Sequence, residues 1–285
     1  MPKQVVLFSG QGSQAQGMGA DLFTEYPDIV MIANDVLGYD ITNICLNNPD
    51  NTLNQTNYTQ PALYVVNYLK YKQYLQNNAT PDYFLGHSLG EFNALNAAGA
   101  FSFETGLRIV QKRGELMFSI SGTGMAAVLG AEEAELSEFL KTRFPQVDVA
   151  NINTHNQVVI SGLLRVLDDV ADAVEDEGWG YIPLKVSGAF HSRYMTPIKE
   201  SFKTFVETLP ITVCNKHVVS NFTGSLYSNT IEGTLSNIIH QIDNPVRWLQ
   251  SMEFVMAQGE CSFTEVGQGE VLTNMLKKIK ANMIT

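Results

Sequence analysis

YFLGHSLGEFNALNAAG, residues 83–99, reads as a short apolar strand, a Gly-x-Ser-x-Gly turn and a helix. A serine in so sharp a turn is held away from the backbone at the start of the helix. Gly86 and Gly90 leave room for the turn and for close packing of helix on strand. The Leu89 amide would lie beside an oxyanion formed by attack of Ser88, where the helix N-terminus also favours negative charge. The plainer reading is a glycine-rich turn carrying an ordinary serine. Strand and helix flank the motif in the order it requires, and that favours a nucleophile.

A serine hydroxyl needs a base within hydrogen-bond reach. Of the five histidines, His87 adjoins Ser88 in sequence, but neighbouring side chains leave such a turn in different directions. His155, His217 and His240 stand in polar contexts. His191 lies in the small-residue loop SGAFHS (187–192) and is the best candidate, with a structural histidine as the alternative.

Outward from the elbow, Val5–Phe8 reads as a buried strand, and Pro61 is expected to open a helix after the polar loop 47–60. The middle of the chain predicts strand 125–130, helix 131–144, strands 147–152 and 157–162, helix 163–178 and strand 181–186. That βαββαβ order is ferredoxin-like. The expected fold class is α/β: a large α/β-hydrolase-like catalytic subdomain (1–123 and 188–285) carrying an inserted small ferredoxin-like subdomain (124–187). After the insertion we expect a helix from about 194, a strand near 218–222, helices near 231–241 and 245–258, a strand at 262–266 and a last helix.

At 285 residues, 45% of them hydrophobic and 16% charged, the chain can bury a large core and is not disordered. No apolar run approaches the roughly 20 residues of a membrane span, and the N-terminus lacks the pattern of a secretion signal. Cys45, Cys214 and Cys261 are widely spaced and odd in number, which argues against a disulfide framework or zinc site and for a reducing, cytoplasmic setting. A formal charge of −11 disfavours nucleic acid. A phosphorylated or acidic partner would need a local basic patch, and Lys277, Lys278 and Lys280 are candidates, a solvated helix face being the alternative.

Eight segments occur in the order and spacing of one family: GQGSQ (10–14), TQPAL (59–63), GHSLGE (86–91), QKRGELM (111–117), NINTHNQVVISG (151–162), GAFHS (188–192), NPVRW (244–248) and EVGQGEVL (265–272). On them the chain resembles malonyl-CoA:acyl carrier protein transacylases from end to end. The resemblance implies Ser88 as nucleophile, His191 as general base, and the amides of Leu89 and Gln11 as oxyanion donors. It implies the backbone carbonyl of Gln241 as support for the histidine, in place of an acid. It implies His87 and Asn153 lining the site, Arg113 gripping the malonyl carboxylate, and Met117 and Phe190 shaping the acyl pocket. A planar guanidinium suits that grip because it can form two parallel hydrogen bonds to a carboxylate.

The implied reaction moves malonyl from malonyl-CoA to the phosphopantetheine thiol of an acyl carrier protein, with no metal or redox cofactor. A monomer, or a unit fused to or associated with a synthase, is expected, and the chain ends soon after its last motif. Composition and length resemble acyltransferases that serve polyketide assembly lines in trans; fatty-acid synthesis is the alternative setting. Three rivals stand beside this reading, one of them a non-catalytic carrier-protein docking module that keeps the fold, against which intact Ser88, His191, Gln11 and Arg113 argue. A thioester hydrolase shares the elbow but lacks the arginine. A nicotinamide enzyme would use FSGQGSQA (8–15) as a dinucleotide loop, yet further glycines follow where its helix should begin.

Overall fold

A computed structural model describes residues 1–283. Strand β1 (Lys3–Phe8) is followed by α1 (Ala20–Glu25), α2 (Pro27–Leu37), α3 (Ile41–Asn47) and the long α4 (Thr56–Asn77). β2 (Tyr83–Gly86) runs into α5 (Gly90–Ala97), and α6 (Phe103–Phe118) leads to β3 (Thr123–Leu129). Next come α7 (Glu133–Arg143), β4 (Asp148–Thr154), β5 (Gln157–Leu163), α8 (Leu164–Asp176) and β6 (Gly180–Pro183). The chain finishes with α9 (Thr196–Val206), β7 (His217–Val218), α10 (Ile231–His240), α11 (Trp248–Met256), β8 (Cys261–Val266) and α12 (Val271–Asn282).

Two sheets result. The first is parallel, in the order β7-β2-β1-β8. Alternation along its strands divides two cores. Val6, Phe8 and Phe84 pack with α4 and α6 on one face, while Val5, Leu7 and Leu85 meet Trp248, Met252, Leu272 and Leu276 on the other. Both faces are covered, so β1 and β2 read as apolar runs rather than alternating strands.

The second sheet is antiparallel, in the order β4-β5-β3-β6, the strand order of a βαββαβ unit. Val128, Val158 and Ile160 pack under α7 and α8. Helix α8 buries Val166, Leu167, Val170, Ala173 and Val174, a helical stripe of spacing three and four. Met125, Ala127 and Val159 alternate to the opposite face and join the large core. A backbone bridge between Asn151 and Val246 joins this sheet to the segment before α11, and Arg193 pairs with Asp148 beside it.

Several expectations need correcting. Helix α4 starts at Thr56, so Pro61 lies inside it rather than opening it. The preceding stretch is not all loop, since Pro49–Asn54 forms a 3₁₀ turn. The strand expected at 218–222 is only His217–Val218. Its further donors leave the sheet: Ser220 bonds the Ser225 carbonyl and Asn221 bonds the Glu91 carboxylate. Helix α11 begins at Trp248 rather than 245, after Asn244-Pro245. The strand expected to reach 186 ends at Pro183. No single helix among the described residues is long and apolar enough to cross a membrane.

Candidate active site

The elbow packs backbone on backbone. A Cβ at Gly86 would stand 1.9 Å from the carbonyl carbon of Gly90, and one at Gly90 would stand 2.1 Å from the Phe8 oxygen. A Cβ at Gly10 would meet the His87 oxygen at 2.3 Å, so the loop after β1 lies directly against the turn. Ser88 adopts φ 51°, the left-handed region that disfavours a side chain. Asn221 holds it there, accepting from the Ser88 amide at 2.7 Å and donating to the Gly86 carbonyl at 2.8 Å.

His191 reaches the same point from 103 residues away: its Nε2 lies 2.7 Å from Ser88 Oγ. It too has positive φ, 56°. Its Nδ1 lies 2.9 Å from the Gln241 carbonyl oxygen. A carbonyl only accepts, so Nδ1 carries the proton and Nε2 is left free to accept from the serine. Burial pushes the imidazole down to about 3, with the nearby Arg113 charge adding to the effect, so it is neutral at neutral pH.

Arg113 is 1% exposed and lies over the Phe92 ring. It donates to Gln60 Oε1 at 2.9 Å, to Gln241 Oε1 at 2.9 Å and to Ser88 Oγ at 3.2 Å. Among the described residues these partners are all neutral, and its Nε has none. Burial lowers its pKa to about 10. A buried cation without a bonded anion, beside an activated serine, is a receptor for an anionic group.

These groups open on one cavity of about 870 Å³. Its lining includes Gln11, His87, Ser88, Leu89, Arg113, Met117, Asn153, Phe190 and His191. His87 turns away from the serine, with Nε2 2.8 Å from Asn153 Oδ1 and its ring against Trp248. As N-cap of α5, Leu89 has an amide that the helix's own ladder does not use. The Gln11 side chain donates to Thr56 Oγ1. Of the expected site residues only Gln241 lies behind the lining, reaching the serine, histidine and arginine from beneath.

His155 pairs with Glu253, His217 stacks on Tyr83 and His240 on Phe222, all away from Ser88. The lysines of α12 are not among the lining residues, whereas Lys185, which sequence reasoning passed over, is. Also missed were Gln60, Asn221 and Tyr227, and the roles of the Glu91 carboxylate and the Gln241 side chain. Gln60 and Glu91 sit inside quoted motifs; Asn221 and Tyr227 lie outside them, and the sequence offered no signal.

Comparison with known proteins agrees in extent as well as kind. The family described as "acyl transferase domain" matches residues 5–282. The chain belongs to the acyl transferase domain family. It is 46% identical over 278 residues to the Bacillus subtilis protein named polyketide biosynthesis malonyl CoA-acyl carrier protein transacylase PksC, covering 96% of each chain. It is 45% identical over 276 residues to polyketide biosynthesis protein ThaF of Burkholderia thailandensis, but spans only 24% of that longer protein. A crystal structure titled malonyl CoA-acyl carrier protein transacylase from Burkholderia pseudomallei superposes with a TM-score of 0.94 at 38% identity, covering 99% of each chain. The acyltransferase fold surrounds the site just described, and the β1 loop is no dinucleotide cradle: β1 ends at Phe8 and the next helix starts only at Ala20.

Proposed function

We propose that this chain is a malonyl-CoA:acyl carrier protein transacylase working by a ping-pong Ser-His mechanism, in which Ser88 carries the malonyl group. The observation that carries this reading is one three-way contact: Ser88 Oγ lies 2.7 Å from a neutral His191 Nε2 and 3.2 Å from the buried Arg113, which bonds no anion among the described residues. His191 takes the serine proton as Oγ bonds the thioester carbon. The amides of Leu89 and Gln11 stabilise the oxyanion, a contribution of roughly a hundred- to a thousandfold per donor in comparable enzymes. The C–S bond then breaks and His191 returns the proton to the leaving coenzyme A thiolate. The carrier's phosphopantetheine thiol reverses these steps, giving its proton to His191 and freeing Ser88.

Malonyl differs from a simple acyl group by its free carboxylate, and Arg113 is the group that would receive it. Pairing would also lift one of the three causes that depress His191, so the bound substrate would strengthen the base that acts on it. His87 and Asn153 would line the acyl group's path, with Met117 and Phe190 shaping the pocket. The polyketide biosynthesis relatives support a role in trans for a polyketide assembly line. We assign residues 124–187 to a small subdomain that roofs the site, on a large subdomain built from 1–123 and 188–285.

Intact-mass analysis tests the reading. The protein is mixed with malonyl-CoA, then with a phosphopantetheinylated carrier. A malonyl adduct should appear, pass to the carrier and be absent in Ser88→Ala. Arg113→Ala should lose malonyl loading by about a hundredfold, from loss of a charged, desolvated pair, with acetyl loading less affected. An adduct that leaves to water while the carrier stays unloaded would make the protein a hydrolase.

A further inference from the structure

We propose that Glu91 is a positioning residue for the carboxylate clamp: its buried carboxylate holds the Gln241 amide in one orientation, and Gln241 holds Arg113. This rests on the reading of Ser88 and Arg113 given above.

Gln241 is the hub of the site. Its Nε2 donates to the Ser88 carbonyl at 2.7 Å and to Glu91 Oε2 at 2.7 Å. Its Oε1 accepts from Arg113 at 2.9 Å, and its backbone oxygen accepts from His191 at 2.9 Å. Both Nε2 hydrogens are therefore used. An amide turned by half a circle would set its NH₂ against the guanidinium and its oxygen against two acceptors. A carboxylate can only accept, so ionised Glu91 selects the orientation that presents an acceptor to Arg113.

Glu91 is itself located by three donors, Gln241 and two from the segment after β7. It is 1% exposed, and its Oε1 accepts from Tyr227 Oη at 2.6 Å and from the Asn221 amide at 3.1 Å. Asn221 is the residue that clamps the serine turn, so one carboxylate braces both the elbow and the clamp. Burial raises its pKa to about 7 even with the three hydrogen bonds and the Arg113 charge favouring the anion, so the accepting carboxylate is populated at neutral pH and dominant above it.

The arrangement explains why the compensating anion stands one glutamine away. A carboxylate bonded directly to Arg113 would occupy the fork that a ligand needs. Held behind Gln241, it offsets part of the charge while, among the described residues, the guanidinium makes three hydrogen bonds, all to neutral groups. Its distance from the cavity also makes it a positioning residue and not a catalytic one.

The test compares malonyl-CoA with acetyl-CoA in full-length wild type and Glu91→Gln, reading Ser88 adducts, KM and kcat for each, and the melting temperature. The isosteric amide places a donor where Gln241 already donates. We expect the malonyl-to-acetyl ratio of kcat/KM to fall at least tenfold, mainly through the KM for malonyl-CoA, in a protein that still unfolds cooperatively. An unchanged ratio overturns the proposal. Equal losses on both substrates, in step with a lowered melting temperature, also overturn it, since that is what mere scaffolding predicts. If Glu91→Gln does not fold, Glu91→Asp draws the carboxylate back from Gln241 by one methylene and leaves the Gln241–Arg113 contact itself untouched: a tenfold fall in the ratio supports the proposal and an unchanged ratio overturns it. A wild type that takes no malonyl on Ser88 would sink the functional reading instead, so the two failures are distinguishable.

Discussion

The two sides of the cavity are built on opposite principles. On the elbow side, the loop after β1, the turn at Ser88 and the start of α5 meet through backbone atoms, with no space for a single added carbon at Gly10, Gly86 or Gly90. On the facing side, the antiparallel sheet and the segment returning from it present side chains: Met125, Asn153, Val159 and Phe190. Backbone packing tolerates almost nothing, whereas side chains can be exchanged at modest cost. The elbow is therefore where the reaction is fixed in space, and the facing wall is where selectivity can be tuned.

Substitutions should separate the two. Gly90→Ala drives a carbon into the Phe8 carbonyl at 2.1 Å. It should cost about 4 kcal/mol or more, the range of severe core disruption, and leave little soluble protein; a chemical-denaturation midpoint near wild type would break the comparison. Smaller in effect is the pH response of His191, which belongs to neither wall's packing but links them. Its folded pKa of about 3 lies below the usual histidine value. The unfolded chain therefore binds the extra proton first as pH falls, and stability is lost from about pH 6.5 downward until pH 3. At pH 4.5 that loss is on the order of 2 kcal/mol. His191→Gln, which cannot titrate, should lose less stability between pH 7 and 4.5, read from paired urea melts; parallel curves would show that His191 is not held neutral.

The smallest shift is expected on the facing wall. Phe190→Val enlarges the pocket beside His191, and one methyl is worth only about 1–3 kcal/mol of discrimination. The ratio of malonyl to methylmalonyl loading should fall by about tenfold, by competition mass spectrometry, while Ser88 remains acylated. A total loss of acylation would mean that this wall, too, fixes the geometry of reaction.

The elbow was legible because its information is local: a strand, five motif residues and a helix are contiguous, and the glycines announce the close approach that the structure contains. The βαββαβ order was legible for a similar reason, since alternation and helical spacing survive within each short element. Pro61 was misread because a proline can also sit early inside a helix whose first turn lies upstream. The strand after His217 was overestimated because its donors are claimed by Ser225 and by Glu91, which is 130 residues from Asn221 in sequence.

By itself, then, the sequence determined the nucleophile's turn, the βαββαβ order of the antiparallel unit and, through eight ordered segments, the family. Only tertiary structure decided which groups surround Arg113, the strand order of the parallel sheet, and that Glu91, Asn221, Tyr227 and Gln241 form one network beneath the site. The physical reason is that turns and periodicity are written in neighbouring residues. A hydrogen bond between buried groups depends on where separate segments are brought together, and on there being no water left to take either partner's place.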